Sequence, residues 1–330
     1  MNVNAVFVVR RGMFIVAYMV NHNATAIDAA PTYSTNRIFT NSQRGKTNNM
    51  SEPAFILDSD KPKIKKEGWR YEYVQTLPEV RAEIAKPFEE KLKRTKQLIK
   101  MFAKADNASI ACSFGKDSMV VLYLCLQENP KIKVNFNNTL VEFVGTMRLK
   151  EKVVDDWNLN FYELYPAKGV TFYSINERII RQHLRRDDGK KHSNLCCDGL
   201  KERPFTRWAK KMKIGKNFTG TTALESRNRM WVACSKGMDY YNYRMGVWKV
   251  HPILYWTEEE VWNFTKDMGL PVNEDYKKYK LNRMGCKPCM SYKNWRKTLG
   301  RIAPKLYCYI CSHYCNYRGI QDPAYYPEEE

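Results

Sequence analysis

Residues 108–126 constrain the fold more than any other stretch of this chain. Ala108-Ser-Ile-Ala-Cys112 reads as a short buried strand, Ser113-Phe114-Gly115-Lys116-Asp117-Ser118 as a turn, and Met119 to Leu126 as an apolar helix. A strand, a tight turn and a helix in that order aim backbone N–H groups and a helix N-terminus at an anion. Gly115 allows close approach to a phosphate. The hydroxyls of Ser113 and Ser118 can donate to phosphate oxygens, and Lys116 adds a positive charge. Asp117 repels phosphate, so its natural task is to hold a magnesium ion that bridges phosphates. The segment therefore predicts a nucleotide site.

The flanking sequence predicts a doubly wound α/β fold with a mostly parallel sheet. Lys131–Phe136, Phe161–Tyr165 and Lys216–Gly220 read as further strands, with helices at Thr146–Trp157 and near Leu200–Met212. Ligands of such sheets lie at the carboxyl ends of the strands, where loops 113–118, 138–142 and 220–229 would fall. Upstream, Glu83–Ala105 reads as one helix with Pro87 near its start, an apolar stripe of Ile84, Phe88, Leu92, Leu98, Ile99 and Phe102, and a solvated basic face. Hydrophobic residues make up 44% of 330, enough for a real core over most of the chain. No apolar run reaches membrane-spanning length, so no membrane partner is expected.

Four segments are expected. Residues 1–49 form a disordered or non-native extension; an alternative reading takes Arg10-Arg11 and the apolar run Met13 to Val20 as a weak targeting signal. Residues 50–107 are a helical N-terminal region, 108–275 the nucleotide domain, and 276–330 a small Cys-rich, basic and aromatic subdomain. The net charge is +20, making a polyanionic partner plausible. Between Tyr276 and Arg318 stand eleven basic residues, no acid and eight aromatics, Tyr279, Tyr292, Trp295, Tyr307 and Tyr317 among them. Cations neutralise phosphates and aromatic faces stack on unpaired bases; the competing reading is a solvated surface over the aromatic core of a metal-stapled subdomain.

Ser113-x-Gly115-Lys116-Asp117-Ser118 resembles the signature of the PP-loop adenine-nucleotide enzymes. Further pieces resemble the phosphoadenylylsulfate (PAPS) reductase branch, in that branch's order, over about residues 100–290. Asn138-Thr139 with Glu142 is similar to its D-T-x-x-E turn, Asn138 replacing Asp. Cys196-Cys197-x-x-Leu200-Lys201-x-x-Pro204 resembles C-C-x-x-L-K-x-x-P. Gly220 to Arg229 resembles G-x-R-x-x-E-S-x-x-R, with Thr222 where Arg is expected. Pro252-Ile253-x-x-Trp256-Thr257, Leu270-Pro271-x-Asn273 and Tyr276 lead to Arg283-x-Gly285-Cys286-x-x-Cys289. The resemblance implies an adenine nucleotide, ATP or PAPS, held by Ser113, Phe114, Gly115, Lys116, Asp117, Ser118, Asn138, Thr139, Glu142, Gly220, Glu225, Ser226 and Arg229.

Cys196, Cys197, Cys286 and Cys289 resemble the 4Fe–4S ligand set of assimilatory adenylylsulfate reductases. Adjacent cysteines serve one compact ion awkwardly but can reach separate iron corners of a cubane. Cys286-x-x-Cys289 and Cys308-x-x-Cys311, however, also have zinc-ribbon spacing. Cluster, zinc and unmetallated thiols stay open. Under the cluster reading Cys308, Cys311 and Cys315 remain for thiol or persulfide chemistry. Cys112, Cys125 and Cys234 are read as packing residues, and His251 and His313 as structural, His313 also as a spare ligand. Clustered thiols suit a reducing compartment, so the expected location is cytoplasmic.

Two departures bear on the reaction. The branch's mobile E-C-G-x-H-type tail motif has no counterpart here, whereas Lys116 and Asp117, which reductases of the branch often lack, are kept. That pair suits Mg-ATP cleavage between the α and β phosphates. The expectation is ATP-dependent sulfur transfer, with nucleic acid (tRNA or DNA) as acceptor and a thiol or a cysteine desulfurase as sulfur donor. Lys116, Asp117, Cys308, Cys311 and Cys315 are the candidate catalytic residues. The alternatives are a PAPS or adenylylsulfate reductase forming sulfite, and a non-catalytic nucleic-acid-binding protein.

Overall fold

A computed structural model describes residues 5–10, 13–18, 69–181, 193–290 and 294–315. The chain divides into two compact units, residues 1–51 and 52–330. In the first, β1 (Ala5–Arg10) and β2 (Met13–Tyr18) pair antiparallel from Ala5↔Tyr18 to Arg10↔Met13. These two strands fall within the expected extension 1–49; the remainder of 1–49 lies outside the described residues.

The second unit holds a six-stranded sheet. Its strands are β3 (Ala108–Ala111), β4 (Lys133–Asn137), β5 (Phe161–Leu164), β6 (Lys216–Thr219), β7 (Asp239–Asn242) and β8 (Val247–Val250), in the order β5-β4-β3-β6-β8-β7. All neighbours are parallel except β7 and β8, whose hairpin makes β7 an antiparallel edge. The chain reverses direction across the sheet beside β3, first toward β4 and later toward β6. The loop after β3 therefore sits at the switch point where doubly wound sheets bind ligands.

Helices α1 (Trp69–Ala85) and α2 (Phe88–Ala103) replace the single helix expected over Glu83–Ala105. The break falls at Lys86-Pro87. Proline has no N–H to donate and disfavours helix in the residue before it, so it stands at the N-cap of the second helix. The basic face of α2 is not wholly solvated either. Lys91 is buried, its ammonium on Glu260 at 2.6 Å and on the Ile84 carbonyl at 2.7 Å. Helix α3 (Lys116–Glu128) follows the loop, α4 (Val144–Asp156) follows β4, and α5 (Phe172–Arg181) follows β5. Helix α6 (Ser193–Cys197) runs through a π-helical turn, Asp198–Glu202, into α7 (Arg203–Lys211). The rest are α8 (Arg227–Lys236), α9 (Glu258–Asp267), α10 (Asp275–Lys278), α11 (Trp295–Ile302) and α12 (Pro304–Ile310). No helix among the described residues is long and apolar enough to cross a membrane.

Packing on the two faces of the sheet follows from strand alternation. Ile110, Val134, Phe136 and Phe218 join Met119, Val121 and Leu122 of α3 in the main core. The opposite face carries a polar ladder: Lys249 donates to Asn217 at 2.9 Å, and Asn217 to Ser109 at 3.0 Å. Helix α7 lies over that face, with Lys249 4.6 Å from the Phe205 ring. A separate core of Phe172, Ile175, Leu200, Trp295, Leu299 and Tyr307 joins α5 and the turn after α6 to α11 and α12. The aromatic residues Trp295 and Tyr307, expected as stacking faces, are buried there, so the aromatic-core reading holds for them. Tyr292 and Tyr317 lie outside the described residues.

Candidate functional site

The turn after β3 is built by its own side chains. The Ser118 hydroxyl donates to the Gly115 carbonyl at 2.9 Å and accepts the Ser113 N–H at 3.2 Å, with the Ser113 hydroxyl also at 3.2 Å. Phe114 takes a left-handed backbone, φ 54°, that costs a non-glycine residue free energy. What stabilises it is the ring, fully buried against Phe136 and Phe161. Phe114 thus shapes the turn from the core side, and its ring is not on the cavity wall.

The turn opens on a cavity of about 610 Å³ at the carboxyl edge of the sheet, which Ser113, Gly115, Asp117 and Ser118 line. Gly220, after β6, lines it too and lies directly against the turn. A Cβ there would stand 2.5 Å from the Asp117 carbonyl carbon and 2.6 Å from the Ser118 nitrogen. Only glycine admits that approach of two backbones. Tyr276 closes a third side, its hydroxyl accepting the Lys116 N–H at 3.2 Å.

Lys116 itself is off the wall. Its ammonium is buried between Asp117, at 3.0 Å, and Glu258, at 3.7 Å. Glu225 faces the turn and holds two guanidinium groups, Arg229 and Arg283, the latter at 2.7 Å. Burial pushes the Arg229 guanidinium down from its ordinary value, and Glu225 opposes that shift. Ser226 is not on the cavity. It caps α8, its hydroxyl accepting the Arg229 N–H at 3.3 Å.

The far end of the same cavity carries Cys196, Cys197, Cys286 and Cys289. Cys196 and Cys197 come from α6 and the other pair from the loop after α10, so an 88-residue separation is closed by the fold. Burial raises the thiols of Cys197 and Cys286, and the charge of Lys201, which also lines the cavity, offsets part of that rise for both. Thr139, on the loop after β4, donates to Glu142 at 2.6 Å and lies 3.3 Å from the Cys286 sulfur. Asn138 is a turn former: it donates to Glu163 at 2.7 Å and accepts the Leu140 N–H at 2.9 Å. Of that loop's candidates, Glu142 reaches the cavity.

Cys308 is exposed on α12 and Cys311 half-buried just after it; neither lines the cavity. The side chain of Cys315 lies outside the described residues. Among the described residues no three His, Cys, Asp or Glu side chains converge to hold a metal ion. That holds for the zinc-ribbon set and for the cluster set alike; what separates them is that Cys196, Cys197, Cys286 and Cys289 line one cavity. His251 is buried as expected, 2.6 Å from the Thr219 hydroxyl, and Cys112 and Cys125 are core residues; Cys234 is only half-buried.

Arg283, Lys201, Arg296 and Tyr276 line the cavity but were not among the expected site residues. For Arg283 and Tyr276 the signal was present, since both stand in the motif that ends at Cys289. Arg296 lies beyond that motif, and nothing in its neighbourhood distinguishes it from the other basic residues of the segment.

The phosphoadenosine phosphosulfate reductase domain family matches residues 107–292. An adenosine 5'-phosphosulfate reductase of Bacillus cereus is 32% identical over 167 residues, which span 49% of this chain and 64% of that protein. One of Staphylococcus epidermidis is 29% identical over 188 residues, 55% of this chain and 69% of its own length. A solved phosphoadenylyl-sulfate reductase from Candida auris, in a phosphate complex, superposes with a TM-score of 0.45 at 16% identity, covering 58% of this chain and 87% of that one. With the match running from the strand before the turn to beyond the second cysteine pair, more than half of its length, the chain belongs to the phosphoadenosine phosphosulfate reductase domain family of enzymes.

Proposed function

We propose that this chain is a Mg-ATP-dependent enzyme of sulfur chemistry, activating an acceptor at the turn 113–118 and transferring sulfur to it at the cysteine end of the same cavity. One observation carries the reading: a single cavity has the phosphate turn on one side and four thiols on another. The turn supplies amides at the N-terminus of α3 for the phosphates. Asp117, which lines the cavity, would hold magnesium; Arg229 and Arg283 face the developing charge. An acceptor oxygen attacks the α-phosphorus, the bond to the bridging oxygen breaks, and pyrophosphate leaves. The terminal sulfur of a persulfide supplied by a thiol or desulfurase donor then displaces AMP from the adenylated acceptor, losing its proton to solvent. A second donor thiol breaks the remaining S–S bond, releasing the thiolated acceptor and forming a disulfide. We assign the acceptor to the nucleic-acid class on the chain's charge of +20.

The donor set Cys196, Cys197, Cys286 and Cys289 fits a 4Fe–4S cluster, which when bound would offer iron corners that bind and polarise sulfur. Burial raises the thiols of Cys197 and Cys286; Lys201 offsets part of that rise for both, and the Thr139 hydroxyl does so for Cys286.

The test is pyrophosphate release from Mg-ATP by anaerobically purified protein, in wild type and Asp117→Ala. Acceptor-dependent release that the variant loses supports the reading; no release, or turnover retained in the variant, rejects it. A second reading is reduction of an adenylylated sulfate to sulfite. It is favoured by the curated relatives named adenosine 5'-phosphosulfate reductases. It requires an attacking thiol, and neither Cys308 nor Cys311 lines the cavity. Sulfite formed from adenosine 5'-phosphosulfate with a thiol reductant, without ATP turnover, would establish it.

A further inference from the structure

We infer that the outer face of α7 and the β7–β8 hairpin form a track for single-stranded nucleic acid, leading to the cysteine end of the cavity. The inference rests on the proposed acceptor class and adds the surface that binds it. Helix α7 is strongly two-sided. Pro204, Phe205, Trp208 and Ala209 are buried against the sheet, whereas Arg203, Arg207, Lys210 and Lys211 are exposed, and the helix has no acid. Arg203 is already paired with Asp198, and beyond it Arg207, Lys210 and Lys211 continue the exposed face as a stripe of three like charges that repel one another and that a polyanion would neutralise.

The hairpin extends this stripe. Arg244, exposed at its tip, pairs with Asp198 and with Glu202, at 3.1 Å for the latter, on the turn that opens α7. Arg203 takes the other oxygen of Asp198 at 2.7 Å. The acids at the head of the track are thus already bridged by arginine. Beside Arg244, Tyr243 is 89% exposed and meets Tyr241 edge to face at 5.0 Å. At the other border Arg207 donates to the carbonyl of Tyr165, a residue 51% exposed.

Exposed tyrosines beside a cationic stripe distinguish the partner. A duplex offers phosphates but keeps its bases stacked, while a single strand presents both phosphates and open base faces. The route is short. The π-helical turn that begins the track continues directly from Cys197, and its Leu200 and Lys201 line the cavity. Arg203, at the head of the track, follows Cys197 by only six residues. This surface also differs from the basic segment 276–318, whose aromatic residues Trp295 and Tyr307 are buried.

The test is fluorescence anisotropy of the full chain with labelled single-stranded RNA and DNA oligonucleotides and the matching duplexes, over a salt series. The wild type is expected to bind single strands more tightly than duplexes, with affinity falling as salt rises. Combined Arg207→Glu, Lys210→Glu and Lys211→Glu should weaken binding at least about tenfold and reduce the salt slope by roughly 2. Tyr243→Ala should weaken it at least about fivefold. The charge-matched set Lys93→Glu, Lys96→Glu and Lys100→Glu, exposed on α2, controls for net charge and should have a clearly smaller effect. Neutral Lys210→Gln and Lys211→Gln, with melting curves, guard against a folding defect in the reversal set. No binding by the wild type, equal losses in the α7 and α2 sets, or a duplex preference insensitive to Tyr243→Ala would each overturn the inference. Loss confined to a Lys277→Glu, Lys278→Glu and Lys280→Glu set would overturn it too. Pyrophosphate release from Mg-ATP alone, intact in a protein that binds no oligonucleotide, would reject the track while sparing nucleotide activation. Track-dependent binding without any release would do the reverse.

Discussion

The Tyr276 hydroxyl occupies the backbone amide of Lys116, accepting its N–H at 3.2 Å, while lying close enough to Gly115 that a Cβ there would stand 3.2 Å away. The first amide of α3 is one a bound phosphate would claim, since helix-opening N–H groups have no intrahelical partner. Tyr276 is therefore a placeholder as well as a wall. It is held edge-on by Trp262 at 5.3 Å and carried by α10, which Asp275 ties to α4 through the Gly145 N–H at 3.0 Å.

From this relationship, Tyr276→Phe should lower the stability of the nucleotide-free protein by about 1 kcal/mol, the usual net worth of a buried hydrogen bond. In saturating Mg-ATP the difference should shrink, because phosphate replaces the hydroxyl on the same amide. Urea unfolding of both proteins, with and without nucleotide, measures it. An equal loss in both conditions would mean that the amide is never handed over.

Gly220→Ala should separate nucleotide binding from folding. The added methyl meets the backbone of Asp117 and Ser118 at 2.5–2.6 Å, so either the end of β6 or the turn must move. Displacement of the turn should cost at least about tenfold in Mg-ATP affinity, about 1.4 kcal/mol. Calorimetry gives the affinity, and far-UV circular dichroism should remain that of the wild type. Unchanged affinity would place the phosphates elsewhere.

Much of this site was readable before any coordinates. The strand, turn and helix at 108–128 are consecutive, each short-range and strongly patterned, so local sequence determines them. The pairing of Cys196-Cys197 with Cys286 and Cys289 was reached through resemblance, not through any local pattern. What escaped notice depends on distant partners. Lys91 looks like any solvated lysine until Glu260, the third residue of α9 and partner of Thr257 in its capping box, is folded onto it. The β7–β8 hairpin, Asp239–Asn242 and Val247–Val250, is four residues a side and rich in polar and aromatic groups, because an edge strand is only half buried. Phe114 in a loop of small residues looked like part of the phosphate site, yet its ring answers to Phe136 and Phe161.

The cysteines divide into two groups that substitution should tell apart. Cys197→Ser or Cys286→Ser removes a thiol from the cavity end, and anaerobic preparations of either should lose bound iron and their brown colour. Cys308→Ser and Cys311→Ser alter thiols away from the cavity and should retain both. Iron and acid-labile sulfide analysis beside zinc analysis decides the matter. Zinc lost on substituting Cys308, with no iron in any preparation, would restore the zinc ribbon.

His251 makes the fold acid-sensitive. Burial, reinforced by the charges of Lys249 and Arg229, pushes its imidazole down to about 3, and the ring lies 5.6 Å from that of Tyr240. An unfolded chain protonates the same residue near its ordinary value of about 6.5. Between those values the unfolded state binds a proton that the folded state does not, so stability falls as pH drops through that window. The limiting slope from this one group is about 1.4 kcal/mol per pH unit. His251→Asn keeps a polar atom near the Thr219 hydroxyl without a titrating ring, so denaturant titrations from pH 7 to pH 5 should show a shallower decline than in wild type. Because the folded protein keeps this ring neutral over the interval, its contact with the Thr219 hydroxyl at the end of β6 is undisturbed, and Mg-ATP affinity should not fall on its account in either protein. Parallel pH profiles for the two proteins would assign the acid sensitivity to other groups.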